Sequence, residues 1–239
     1  MKVRRSKIVG VLGGLGPEAA LAFCQRLLER TPGVRRDQDH LRVILDNNAK
    51  IPDRTAALAG RGPSPAPEAI RSARLLQRAG AAFIAIPCNT VQRWHPEISR
   101  AVRIPVLNLV EITVNAARKR AQGGCAIGLL ATDGTRRAGL YDACLARRKL
   151  APVHATEAEQ RRVMAAIVSI KAGRGRARAR TALRQIARAL GRRGAGAIVL
   201  GCTEVGLVLK DGDAPVPLVD SLDALVEETL RRALPRSAR

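Results

Sequence analysis

Two cysteines occupy matching contexts, IPCNT at Ile86–Thr90 and LGCTE at Leu200–Glu204. Each closes an apolar run of strand character. Asn89 and Thr90 follow Cys88, Thr203 and Glu204 follow Cys202, and a helix is expected after each pair. A cysteine at a strand end is often only a small buried hydrophobe. Next to a helix N-terminus, however, its thiol loses its proton more easily and nearby anions are stabilised. Two thiols on opposite faces of one carbon suit one kind of reaction, in which one removes a proton, the other returns one, and the stereocentre inverts. The amide and hydroxyl groups of Asn89, Thr90, Thr132 and Thr203 could hold a carboxylate that gains charge in an enolate-like intermediate. No histidine or carboxylate cluster completes a zinc set, and no CxxC pair marks thiol redox work.

The elements that must position these groups follow a βα rhythm, short apolar runs alternating with longer amphipathic segments. Strands are expected at Ile8–Leu12, Val43–Asp46, Phe83–Ile86, Val106–Asn108, Cys125–Leu130, Ala197–Leu200 and Pro217–Val219. Helices are expected at Glu18–Glu29, Pro67–Ala79, Ile112–Ala121, Thr135–Arg147, Glu157–Ile170, Ala179–Gly191 and Leu222–Leu234. An internal repeat sharpens this. RAGAAFIAIPCNT (Arg78–Thr90) aligns with RRGAGAIVLGCTE (Arg192–Glu204), superimposing Cys88 on Cys202, and IVGVLGGLGP (Ile8–Pro17) aligns with AIGLLATDGT (Ala126–Thr135). The fold expected is α/β: two pseudo-symmetric, doubly wound parallel-sheet domains with the active site in the cleft between them. Ligands bind at the carboxyl ends of strands in such sheets, where both cysteines stand. Residues 1–112 and 113–214 would form the two domains, with 215–239 packing back on the first.

Other motifs leave alternatives open. GGLGPE (Gly13–Glu18) lacks the G-x-G-x-x-G spacing of a dinucleotide site but suits an anion-binding turn. IPDRT (Ile51–Thr55) reads equally as a turn with Thr55 capping a helix, or as a loop presenting Arg54 to a carboxylate. His40, His95 and His154 stand alone, and Cys24, Cys125 and Cys144 read as packing residues.

Charge points elsewhere at first. With 42 Lys and Arg against 20 Asp and Glu, the formal charge is +22, which attracts polyanions. Yet the excess is mostly Arg, spread along the chain. The rings, Phe23, Phe83, Trp94 and Tyr141, are too scattered for a stacking platform. Nucleic acid is therefore not the expected partner, and the stripe Arg180, Arg184, Arg188 and Arg192 reads as a solvated helix face. No apolar run of membrane-spanning length occurs. Five cysteines without a paired framework suit a cytoplasmic protein. The start, with Arg4 and Arg5 before an apolar stretch, imitates an export signal, but Gly13, Gly14, Gly16, Pro17 and Glu18 interrupt it.

Taken together, VGVLGGLGPEA (Val9–Ala19), NNAKIPDRT (Asn47–Thr55), IPCNT, IGLLATDGT (Ile127–Thr135), SIKAG (Ser169–Gly173) and LGCTE, in this order, resemble the aspartate/glutamate racemase family, and within it the aspartate racemase branch. The resemblance implies a cofactor-independent, two-base racemase of an acidic amino acid, commonly a homodimer. It implies Cys88 and Cys202 as the acid/base pair, with Asn89, Thr90 and Thr203 on the α-carboxylate. Arg54 and Lys171 would form the basic pair for the side-chain carboxylate. Two positions depart from the family pattern: Gln92 and Leu225 stand where histidines are common. Leu15 also replaces a usual methionine. Racemases or isomerases of glutamate, hydantoin or maleate remain alternatives on the same fold. So does a non-catalytic binder of an acidic metabolite, and from a third class polyanion binding through Lys171–Arg193.

Overall fold

The computed structural model describes residues 6–122 and 124–235. In the first half, β1 (Val9–Leu12), β2 (Val43–Asp46) and β3 (Phe83–Ala85) form a parallel sheet in the order β2-β1-β3. In the second, β4 (Ala126–Ala131), β5 (Ala151–His154), β6 (Ala197–Gly201) and β7 (Leu218–Asp220) form a parallel sheet in the order β5-β4-β6-β7. Strands β1, β4 and β6 are almost wholly buried because helices cover both faces of each sheet.

The internal repeat is visible in the ladders. Val9 pairs with Phe83 and Ile127 pairs with Ala197, the residues the two aligned segments superimpose. Gly10 and Gly128 also correspond, and both allow a helix to press on the strand. A Cβ on Gly10 would come within 3.4 Å of helical Leu76 and 2.8 Å of Ala81 just past that helix, and one on Gly128 within 3.3 Å of helical Leu190 and 2.9 Å of Ile198 on the adjacent strand.

Over the first sheet, α1 (Pro17–Arg30) buries Phe23 and Leu27 on one face, and α3 (Ala66–Arg78) buries Ala69, Ala73 and Leu76 on the other. Short α2 (Arg54–Leu58) and α4 (His95–Arg100) lie in the loops after β2 and β3. Over the second sheet, α8 (Glu157–Lys171) and α9 (Arg176–Arg192) cover one face. α5 (Leu109–Arg120), α6 (Asp133–Arg137) and α7 (Leu140–Ala146) complete this half, with α5 and α7 burying Val114, Tyr141 and Leu145 against the other face.

Several elements differ from expectation. Val106 makes only a single parallel bridge to Ile84 instead of a strand. β5 escaped the apolar pattern because it is an edge strand, half exposed and carrying Pro152. The helix expected over Thr135–Arg147 is two helices, broken at Gly139, whose φ is +59°. Residues 215–235 divide: β7 joins the second sheet, while α10 (Ser221–Ala233) buries Leu222, Leu225 and Val226 with Val9, Val11 and Phe23 of the first half.

That crossing is pinned by charge. Arg26 on α1 holds Asp220 at 2.6 Å and Asp223 at 2.7 Å, and Asp220 also caps α10 by accepting from the Leu222 amide at 2.8 Å. Arg26 and Asp220 are mostly buried, so removing one partner strands the other. Arg26→Ala is expected to cost about 3 kcal/mol in urea unfolding; an unchanged midpoint would show that the pair contributes nothing.

Candidate active site

The strand ends meet as the repeat requires. Cys88 follows β3 and Cys202 follows β6, and both thiols are buried and border one cleft between the halves. Leu15, Arg54, Asn89 and Thr90 face it from the first half, and Thr132, Lys171, Thr203 and Glu204 from the second. Every candidate site residue expected from the sequence is therefore at this cleft. The space between them is narrow, about 10 Å³, or room for about one water.

Neither cysteine precedes a long helix. Cys88 runs into a 3₁₀ turn at Thr90–Trp94 and then α4, and Cys202 into a single 3₁₀ turn at Val205–Leu207. The expected macrodipole assistance therefore shrinks to local backbone amides, because a single turn aligns few peptide dipoles.

The surrounding hydroxyls form a junction. Thr90 Oγ1 lies 3.0 Å from Thr132 Oγ1 and 2.9 Å from Thr135 Oγ1, joining the halves through three buried threonines. Thr132 also caps α6, accepting from the Thr135 amide at 3.1 Å. Asn89 sits in a second bridge: Tyr141 donates to its Oδ1 at 2.6 Å, and its Nδ2 donates to Ser221 Oγ at 3.0 Å. Ser221 in turn donates to the Leu200 carbonyl at 2.8 Å. One amide hydrogen of Asn89 is left for a ligand. Burial first of all pushes the Tyr141 phenol up, so it remains a donor.

Arg54 is buried and already engaged. Its Nη2 donates to the Leu15 carbonyl at 2.6 Å, and its Nη1 to the Pro52 and Ile51 carbonyls at 3.1 and 3.4 Å. The helix that starts there is capped by Asp53, which accepts from the Ala56 amide at 2.7 Å, and not by Thr55. Lys171 ends α8 with its Nζ 4.0 Å from Glu204. Burial is the largest single effect and opposes its charge, but the Glu204 carboxylate together with the Cys202 and Cys88 sulfurs lifts the ammonium above its ordinary value. Glu18 and Arg176 form an ion pair between α1 and α9, a further tie between the halves.

The residues at the two departures from the family pattern do not reach the cleft. Gln92 braces the backbone, its Nε2 donating to the Cys88 carbonyl at 3.3 Å and its Oε1 accepting from the Leu109 amide at 3.2 Å. Leu225 is a core residue. Sequence reasoning passed over Thr135, Tyr141 and Ser221, whose partners are remote in the chain. It also gave no role to Glu204, although the repeat aligns it with Thr90. Among the described residues no group of histidine, cysteine and carboxylate side chains could hold a metal, and no helix is long and apolar enough to cross a membrane.

The family model for Asp/Glu/Hydantoin racemase matches residues 12–229, and the chain belongs to that family. It is accordingly an enzyme of the amino-acid racemase class. Among solved structures it is similar to the aspartate racemase of Picrophilus torridus, with a TM-score of 0.83 and 27% identity over 98% of each chain. It also shares its fold with an aspartate racemase homologue of Pyrococcus horikoshii OT3, with a TM-score of 0.75 and 24% identity over 94% of this chain and 98% of that one. The broad specificity amino-acid racemase RacX of Bacillus subtilis strain 168 is 23% identical over 228 residues, 93% of this chain and 96% of that protein.

Burial, and then the neighbouring Glu204 charge, push the Cys202 thiol well above its ordinary value. Iodoacetamide at pH 8 is expected to label exposed Cys125 at least about tenfold faster than Cys202, since only thiolate reacts. Equal rates would contradict a buried, protonated thiol.

Proposed function

We propose that this chain racemises an acidic amino acid, aspartate foremost, without a cofactor, by proton transfer at Cα between Cys88 and Cys202. One observation carries the reading: equivalent strands of the two halves each deliver a cysteine to the same cleft. One sulfur takes the Cα proton as a thiolate, and the opposite thiol protonates the other face. The free Asn89 amide hydrogen and the hydroxyls of Thr90, Thr132 and Thr203 hold the α-carboxylate as its charge grows. Lys171 receives the side-chain carboxylate. Arg54 fixes the wall formed by Leu15, Ile51 and Pro52 and adds positive potential to it.

In heavy water, deuterium is expected to enter Cα of aspartate while the enantiomers equilibrate. Cys88→Ala and Cys202→Ala are each expected to lower that rate by about 1,000-fold. No exchange from either enantiomer of aspartate or glutamate by the intact protein would sink the reading. Lys171→Ala is expected to raise KM for aspartate by about tenfold, the loss of one charged contact. An unchanged KM would remove Lys171 from substrate binding.

A second reading, broader specificity, is favoured by one observation. Arg54 is engaged by three carbonyls and Lys171 by Glu204, so neither of these cations stands unpartnered for a second carboxylate. RacX, a relative along nearly the whole chain, is a broad specificity racemase by name. Cα exchange rates across a panel of acidic, neutral and basic amino acids decide between the two readings.

A further inference from the structure

The two cysteines do not have the same neighbour. Where the first half carries Thr90, the second carries Glu204, a carboxylate only 4% exposed. Its Oε2 accepts from Cys202 Sγ at 3.1 Å and from Thr203 Oγ1 at 3.1 Å, and its Oε1 lies 4.0 Å from Lys171 Nζ. Gly16, at φ +150°, makes room for it: a Cβ on Gly16 would collide with Oε1. A buried carboxylate is costly unless well paired, and a thiol is a weak partner. Segments from both halves nonetheless accommodate this one beside a sulfur that must shed a proton to act.

A two-base racemase needs one thiolate. Release of the Cys202 proton to water is opposed by burial, whereas the hydrogen bond to Glu204 offers that proton another destination. We propose that Glu204 is the proton partner of Cys202. When Cys202 is the base, its S–H bond breaks and an O–H bond forms on Glu204 Oε2, leaving a thiolate and a neutral carboxylic acid. The thiolate then takes the substrate's Cα proton, and the C–H electron pair stays on the substrate as the enolate-like carbanion. The Cys88 thiol protonates the opposite face and is left as thiolate. In the reverse sense the Cys88 thiolate takes the Cα proton, Cys202 delivers its own, and Glu204 reprotonates Cys202. The two free forms interconvert by proton exchange with solvent. Glu204 thus acts on the substrate through the Cys202 sulfur, whose proton it takes and returns, and Lys171 steadies it while charged.

This inference rests on the two-cysteine reading, and the test separates the two. Glu204→Gln keeps the size and an acceptor oxygen but loses basicity, so a merely structural role would survive it. The expected result is a fall in kcat of about 100-fold or more with KM changed by less than about threefold, and a smaller loss in Glu204→Asp. Formate added to Glu204→Ala is expected to restore part of the rate, and formamide none. A Gln variant within about threefold of the unsubstituted enzyme, or formate without effect on a folded Ala variant, overturns the proposal. An independent readout needs no turnover. The infrared S–H band assigned by its loss in Cys202→Ser is expected below the free-thiol frequency, shifting upward in Glu204→Gln; no shift overturns the pairing. If the intact protein exchanges no Cα proton from any amino acid, the two-cysteine reading fails, and this band alone decides the role of Glu204.

Discussion

Parallel pairing of β1 with β3 and of β4 with β6, in the same register, places both cysteines. Parallel strands send all their carboxyl ends to one edge, and crossover helices cover both faces, so the edge is the open place left for chemistry. Close contact between helix and strand at Gly10 and Gly128 keeps each edge where it is. Cys88 and Cys202 then become neighbours across a cleft, although more than a hundred residues of chain separate them.

What keeps the cleft shut is polar. Thr90, Thr132 and Thr135 join the halves through hydroxyls, and Tyr141, Asn89 and Ser221 through a chain of directed hydrogen bonds. Such contacts are satisfied when closed and can exchange for water when open, so they cost less to break than apolar burial of the same extent. The lasting attachment lies elsewhere, where α10 packs its leucines on the first sheet and Arg26 holds Asp220. The two halves are thus joined by an apolar, ion-paired anchor on one side and by a polar seam at the cysteines.

The large positive charge is partly used within the fold. Arg180 and Arg184 both reach Asp213, at 3.0 and 3.7 Å, tying α9 to the loop before β7. Asp213 itself is buried, so these two arginines are more than a solvated stripe. Arg193 similarly holds Glu159 at 2.8 Å, near the cap of α8. At the cleft, Arg54 serves three backbone carbonyls, which makes shape, more than free charge, its first contribution.

Continuous apolar runs made the central strands legible, because a strand covered on both faces cannot hide its composition. The repeat exposed the pairing of Cys88 with Cys202, since equal local sequences take equal places in equal sheets. Edge strand β5 was not legible because its apolar signal is weak, whereas the apolar run at Val106 suggested a full strand and its neighbours leave it only a single bridge. The loop helices after Asp53 and Trp94 depend on caps and turns too short to carry a period. The sequence by itself determined the class of fold, the two sulfurs and the threonine, asparagine and basic residues near them. Only the tertiary structure decided who holds whom: Arg54 on backbone carbonyls, Asn89 under Tyr141, Glu204 against Cys202. The physical reason is that side-chain chemistry and strand burial are local properties, whereas hydrogen-bond partners and desolvation come from segments that meet only when the two halves close.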